Sequence, residues 1–176
     1  HEGHSSLVQR SVAENDLTVV TIFVNPLQFN SAEDLEKYPR DENRDFELLR
    51  RLSVNIVFAP EKEEVYKHVP QTAVTVSGLE NKLEGLHRPG HFQGVGLVVS
   101  KLINYTLPDR AYFGLKDLQQ FMIIRKIVED LSFPVEVVGV KTVRSASGLA
   151  LSSRNARLSK KGMEIASNIF RGLTEG

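Results

Sequence analysis

Two imidazoles three residues apart open the chain, in His1-Glu2-Gly3-His4. Positions three apart share a helix face, and Gly3 removes a side chain that would keep a ligand off the backbone. The free N–H groups of a helix N-terminus favour phosphate, and two histidines there can donate hydrogen bonds to a phosphorus centre as it becomes pentacovalent. The competing reading is an exposed terminal remnant or a fortuitous metal-binding pair.

Three other segments have compatible chemistry. Leu151-Ser152-Ser153-Arg154-Asn155 places two hydroxyls beside a guanidinium, a good set of phosphate donors. Gly148 lies just before it, in a loop able to move over a ligand. A solvated loop ending in a helix cap would carry the same residues. In Phe113-Gly114-Leu115-Lys116-Asp117 a strand ends, a glycine turns, and a lysine and an aspartate open a helix. Lys116 can reach a phosphate as a point charge, while Asp117 can accept ribose hydroxyls or cap the helix. The amides of Asn25-Pro26-Leu27-Gln28-Phe29 and Gln119-Gln120 suit a small polar substrate, or are ordinary loop and helix polarity. Arg88-Pro89-Gly90-His91-Phe92 is a substrate-side loop or a plain turn. The sequence has no GxxxxGK[ST] loop, no GxGxxG and no nucleophile elbow. The acidic pairs Glu33-Asp34, Asp41-Glu42 and Glu63-Glu64 read as solvated faces. Magnesium needs no all-protein cage where phosphates supply its ligands.

The elements that must position these segments follow from periodicity. Residues 3–14 read as a helix in which Leu7, Val8, Val12 and Ala13 recur at helical spacing. Leu17–Val24 is a continuous β-rich run, expected as a parallel strand buried on both faces and stopped by Asn25-Pro26. Ser31–Leu52 is helical in period, broken at Pro39, with Asp41 capping a helix that carries Phe46, Leu48, Leu49 and Leu52. Val54–Ala59 is a second buried strand, and Val74–Val76 a short third. Gly94–Tyr105 is a helix with Val95, Val98, Val99, Leu102 and Ile103 inward. Arg110–Phe113 and Val135–Val140 are strands flanking a helix over Lys116–Asp130 with Phe121, Ile123, Ile124, Ile127 and Val128 inward. Leu149–Asn155 is a polar loop and Ser159–Leu173 a last helix. Strand and helix alternate, which predicts an open parallel α/β sheet with right-handed crossovers. Ligands then bind outside the carboxyl ends of strands, where residues 25–29, 114–120 and 144–154 fall.

Composition sets the outer bounds. The 176 residues suffice for one domain with a core. With 22 basic and 22 acidic residues the net charge is zero, which argues against a broad nucleic-acid or membrane field. There is no cysteine, hence no disulfide framework or zinc-thiolate site, as suits a reducing compartment. No apolar run approaches the roughly 20 residues of a membrane span.

Taken in order, HEGH, TIFVNPLQF, DLEKYPR, VFAP, RPGHFQGV, PDRAYFGLKDLQQ, FPVEVVGV and GLALSSRN closely resemble the pantoate–β-alanine ligases, or pantothenate synthetases. This family belongs to the HxGH nucleotidylyltransferase superfamily, and its SSR loop parallels the KMSKS loop of class I aminoacyl-tRNA synthetases. The resemblance runs over nearly the whole chain. It implies a Rossmann-like open parallel sheet with helices on both faces. It also implies a magnesium-dependent, two-step reaction. Pantoate attacks the α-phosphate of ATP to give pantoyl adenylate and pyrophosphate, then β-alanine takes the acyl group and AMP leaves.

Carried onto this sequence, the resemblance implies that His1 and His4 bind and stabilise the phosphate in transfer. His4 stands where the family's proton donor is usually assigned; charge stabilisation is the physically simpler role, since magnesium can neutralise pyrophosphate. Glu2 and Gly3 complete that ATP contact, and Gly114, Leu115, Lys116 and Asp117 form another, with Lys116 at phosphate and Asp117 at ribose. Val143 is implied to meet adenine through its backbone. Leu151, Ser152, Ser153 and Arg154 are implied to close over the triphosphate, and Gln28 and Gln120 to hold pantoate, with Gln28 also near β-alanine. Leu115 departs from the family, which usually has a polar residue there, so its contact must be backbone or apolar. A homodimer and a cytoplasmic location are implied as well. Both chain ends read as cut edges: residues 1–176 form the nucleotide- and pantoate-binding domain, with 159–176 leading toward a C-terminal lid, and the family's first strand would precede His1.

Overall fold

The computed structural model describes residues 1–36, 38 and 41–175. Lys37, Pro39, Arg40 and Gly176 lie outside the described residues, and with them the expected break at Pro39. The elements in order are α1 (Glu2–Glu14), β1 (Val19–Thr21), α2 (Ala32–Glu36), α3 (Glu42–Arg51), β2 (Ile56–Phe58), α4 (Lys62–Val65), α5 (Glu84–His87), α6 (His91–Thr106), β3 (Arg110–Gly114), α7 (Leu118–Asp130), β4 (Glu136–Val140) and α8 (Lys160–Glu175). Short 3-10 turns occupy Pro26–Gln28, Leu115–Asp117 and Ser153–Arg157.

The strands pair in parallel, each pair bridged by helix, because parallel neighbours need a crossover. β1 lies beside β2 with Val19 opposite Ile56 and Thr21 opposite Phe58. β3 lies beside β4 with Arg110 opposite Glu136 and Gly114 opposite Val140. The mixed α/β architecture with parallel strands is as the sequence predicts. The continuity of the sheet is not: among the described residues the strands form two separate two-stranded sheets.

α1 joins these pairs through side chains. Toward β1, Ser11 Oγ lies 3.0 Å from Thr18 Oγ1. Toward β3 and β4, Asn15 donates to the Tyr112 hydroxyl at 2.7 Å, Tyr112 donates to Glu14 at 2.9 Å and Arg10 donates to the Gly139 carbonyl at 2.9 Å.

Two expected strand features fail, each for a packing reason. Leu17–Val24 and Val54–Ala59 each yield only a three-residue strand, and Leu17 and Ile56 stay 57% and 48% exposed because a two-stranded sheet leaves much of its surface uncovered. Val74–Val76 forms no strand; its valines pack against Phe92, Ile123 and Ile127 instead of a neighbouring edge.

The core lies between α6, α7 and the β3–β4 pair. Val76, Phe92, Ile123 and Ile127 form one buried cluster. Val95, Ile103, Ile124 and Val128 form another, against Phe113, Val135 and Val137. All five α7 residues expected inward are buried, Ile124 completely. Each such side chain contributes about 1.5–3 kcal/mol through removal from water. Asp41 caps α3 as expected, accepting from the Arg44 amide at 3.1 Å.

Candidate active site

At the start of α1 the His1 and His4 rings stack, centroids 3.9 Å apart and 25° from parallel. The helical turn that brings them together is closed by the His4 amide, which donates to the His1 carbonyl at 2.9 Å. Gly3 sits tightly between segments: a Cβ there would lie 2.9 Å from His1 Nδ1 and 3.9 Å from Leu151 Cβ. The opening motif and the Leu151–Arg154 segment are therefore neighbours. The charges of Asp117 and Lys116 act on the His4 imidazole in opposite directions, which sets the Gly114–Asp117 segment within electrostatic range of the motif. Desolvation holds the His4 imidazole below the usual histidine range; Asp117 opposes this and Lys116 adds to it.

Within the Gly114–Asp117 segment, Lys116 Nζ pairs with Asp117 Oδ1 at 3.0 Å. Asp117 stands at the N-cap of α7 yet makes no capping bond with its side chain, so the cap reading fails. Its carboxylate is held by the adjacent ammonium instead. Leu115 turns inward, and its Cδ2 lies 2.8 Å from where a Gly139 Cβ would be, leaving backbone for any ligand. Beside Gly114 a Cβ would meet nothing within 4 Å.

Val143 and Leu151 are the two arms of a hairpin. The Leu151 amide donates to the Val143 carbonyl at 3.0 Å, and Arg144 bridges Ala150 antiparallel. Ser152 Oγ accepts from the Arg154 amide at 3.3 Å and so caps the turn that follows. Arg154 itself reaches Asp34, its Nη2 lying 3.0 Å from Oδ2. A surface depression of about 340 Å³ beside this pair is lined by Ser31, Glu33, Asp34 and Arg157.

Gln28 stands on a supported turn. The buried Asn25 donates to the Gly94 carbonyl at 3.0 Å, and its own oxygen accepts from the Tyr66 hydroxyl at 2.9 Å and the Leu27 amide at 3.3 Å. The Gln28 carbonyl accepts from buried His91 Nδ1 at 2.8 Å and from Arg88 at 3.3 Å. Burial pushes the His91 imidazole down, against the opposing pull of that hydrogen bond, which fits a neutral ring protonated at Nδ1. The turn Arg88–Phe92 thus backs the Gln28 turn. The side-chain amides of Gln28 and Gln120 are half-buried and, among the described residues, carry no hydrogen bond to the protein. Gln119 is different: it donates to the Leu79 and Lys82 carbonyls at 2.8 and 2.7 Å and accepts from the Glu84 amide at 3.0 Å. Its amide is consumed in fixing the 79–84 segment.

Among the described residues no three His, Cys, Asp or Glu side chains cluster as a metal site.

The chain as a whole has counterparts among known proteins. Residues 1–176 match the family described as pantoate-beta-alanine ligase. The chain belongs to that family. A pantothenate synthetase of Cereibacter sphaeroides is 55% identical over 98% of the chain, which spans 62% of that protein. One from Thermodesulfovibrio yellowstonii is 51% identical over the full chain, again 63% of its length. Crystal structures agree: the pantothenate synthetase of Thermus thermophilus superimposes with a TM-score of 0.95 at 51% identity, over 99% of this chain and 63% of that one. The Francisella tularensis ligase, complexed with beta-gamma ATP and beta-alanine, gives 0.93 at 40% identity, over 97% and 66%. The chain thus has the pantothenate synthetase fold and covers about three fifths of the length of the curated relatives it matches.

Proposed function

We propose that this chain is the nucleotide- and pantoate-binding domain of an ATP-dependent ligase that joins pantoate to β-alanine, with residues 159–176 leading toward a lid. The observation that carries the reading is the stacked His1–His4 pair with Gly3 against Leu151, the Gly114–Asp117 segment lying within electrostatic range of His4.

The chemistry assigns each group a task. A pantoate carboxylate oxygen attacks the α-phosphorus, the bond to the bridging oxygen breaks, and pyrophosphate leaves. His1 and His4 donate hydrogen bonds to the α-phosphate oxygens as charge builds there. Lys116, leaving its pairing with Asp117, supplies a point charge at phosphate, and Ser152, Ser153 and Arg154 supply donors to the leaving pyrophosphate. Asp117 accepts ribose hydroxyls, and backbone at Glu2, Gly3, Gly114, Leu115, Val143 and Leu151 lines the nucleotide. Gln28 and Gln120 hold pantoate with the amides that the protein leaves free. The β-alanine amine, near Gln28, then attacks the acyl carbon, loses its proton, and AMP departs. Magnesium would neutralise phosphate charge. A homodimer and a cytoplasmic location belong to the same reading. Among the described residues no helix is long and apolar enough to cross a membrane.

The test is AMP formation that requires both pantoate and β-alanine, assayed with the 176 residues and with protein of the relatives' full length. The shorter chain is expected to bind ATP and pantoate weakly and to ligate slowly, because closure that excludes water completes such sites. In the longer protein His4→Ala should slow adenylation by ~100-fold or more. AMP release that ignores pantoate but depends on another acid would favour a different nucleotidyltransferase of the same superfamily.

A further inference from the structure

We propose that Phe170 is a positioning residue for the hairpin that presents Val143 and Leu151. This rests on the nucleotide reading for its functional meaning and on geometry for its mechanics. The hairpin is narrow. Ser145 donates to Leu149 at 2.8 Å, Gly148 donates to Ser145 at 2.9 Å, and Leu151 closes it on Val143 at 3.0 Å. At its tip Gly148 adopts φ +85°, a left-handed conformation that disfavours side chains.

The ring of Phe170, from α8, fills the space a side chain at Gly148 would need. A Cβ built there would lie 2.6 Å from Phe170 Cδ1. Arg144 covers the same ring, with its guanidinium carbon 4.1 Å from the centroid. The Arg144 Nη1 also donates to the Gly148 carbonyl at 3.2 Å. One aromatic ring therefore meets the tip of the hairpin and the arginine of its first arm together. Cation–π contact and ring burial both favour that arrangement.

α8 directs little else inward. Its apolar residues Ile165, Ile169 and Leu173 are 60%, 65% and 73% exposed, whereas Phe170 is half-buried. The hairpin's second arm ends at Leu151, which lies against Gly3 in the histidine motif. The position of α8 is thus transmitted through Phe170 to the segment that borders His1 and His4.

The experiment compares Phe170→Ala, Phe170→Tyr and the parent chain by amide hydrogen exchange and by calorimetric titration with ATP and with pantoate. In the ligand-free alanine variant the Ser145, Gly148 and Leu151 amides should exchange about tenfold faster, with α7 unchanged, and ATP should bind about tenfold more weakly, the equivalent of roughly 1.4 kcal/mol. Pantoate affinity should hold, and the tyrosine variant, which keeps the ring, should restore both values. Unchanged exchange at the three amides overturns the proposal. So does a parallel loss of ATP and pantoate binding, or a tyrosine variant that behaves like alanine. If neither the parent chain nor protein of the relatives' full length binds ATP while the exchange pattern appears, the nucleotide reading falls and the positioning role stands. Should the alanine variant fail to fold, Arg144→Gln supplies the second measurement, with the same pattern at smaller amplitude expected and unchanged exchange counting against it.

Discussion

Asp34 grips Arg154 from 120 residues away, its Oδ2 lying 3.0 Å from the guanidinium Nη2 while its Oδ1 accepts from Arg157 at 3.1 Å. The arginine proposed to meet triphosphate is thus held by a carboxylate that phosphate must displace. Asp34→Asn should tighten ATP binding about two- to fivefold at low ionic strength, since an exposed ion pair is worth roughly 0.2–1 kcal/mol. The gain should fade at high salt. Calorimetric titration decides it; an unchanged affinity would mean that Arg154 keeps its partner when ATP binds.

The same contact sets an acid limit. Hydrogen bonds from Arg157 and then Arg154 hold the Asp34 carboxyl below its ordinary value of 3.8. A depressed carboxyl contributes stability above the unfolded value and loses it as pH falls through the folded one. The pair should therefore persist at the ordinary value and break only in stronger acid. The carboxyl carbon resonance of Asp34, followed by NMR, should titrate below 3.8.

His4 should be mostly neutral at pH 7. Desolvation lowers it from 6.5. The sign runs against the protonated fold: no penalty arises above the unfolded value, and stability is lost as pH falls through it toward the lowered folded value. Imidazole NMR should show a midpoint below 6.5 without ligand, moving upward when ATP phosphate is added. A midpoint that ignores ATP would remove His4 from the phosphate site.

Gly94→Ala should separate α6 from the turn that carries Gln28. The new Cβ would lie 2.4 Å from the Leu27 carbonyl oxygen, a backbone atom with little room to yield. Overpacking of this kind costs about 1–3 kcal/mol. Urea unfolding should show that loss, with weaker pantoate binding alongside.

Adjacent glutamines should part company. Gln119→Ala removes three hydrogen bonds to backbone and should cost roughly 1–3 kcal/mol of stability, with ligand affinity kept. Gln120→Ala should leave stability within about 0.5 kcal/mol, as at a site without such partners, and weaken pantoate binding. A reversed pattern would exchange their roles.

Local features were legible wherever periodicity decides them. The inward face of α7 and the Asp41 cap follow from spacing alone, and both appear. The Val74–Val76 strand failed because a β-rich triplet can bury its side chains without finding an edge. In the candidate site the residue types were readable, but their partners were not. Nothing local in Asn25 or His91 announces that they brace Gln28, since the bonds span 69 and 63 residues. Asp34 likewise read as a solvated charge, because only the fold brings Arg154 to it.

α1 also acts as a lever. Its 13 residues make a rod of about 20 Å, clamped near its far end by Arg10, Ser11, Glu14 and Asn15 and carrying the histidines at its tip. A tilt of ~3° at the clamp sweeps the tip by ~1 Å, a displacement that can cost a reaction ~100-fold. The aim proposed for the histidines, at phosphate, is therefore set from the far end of the helix.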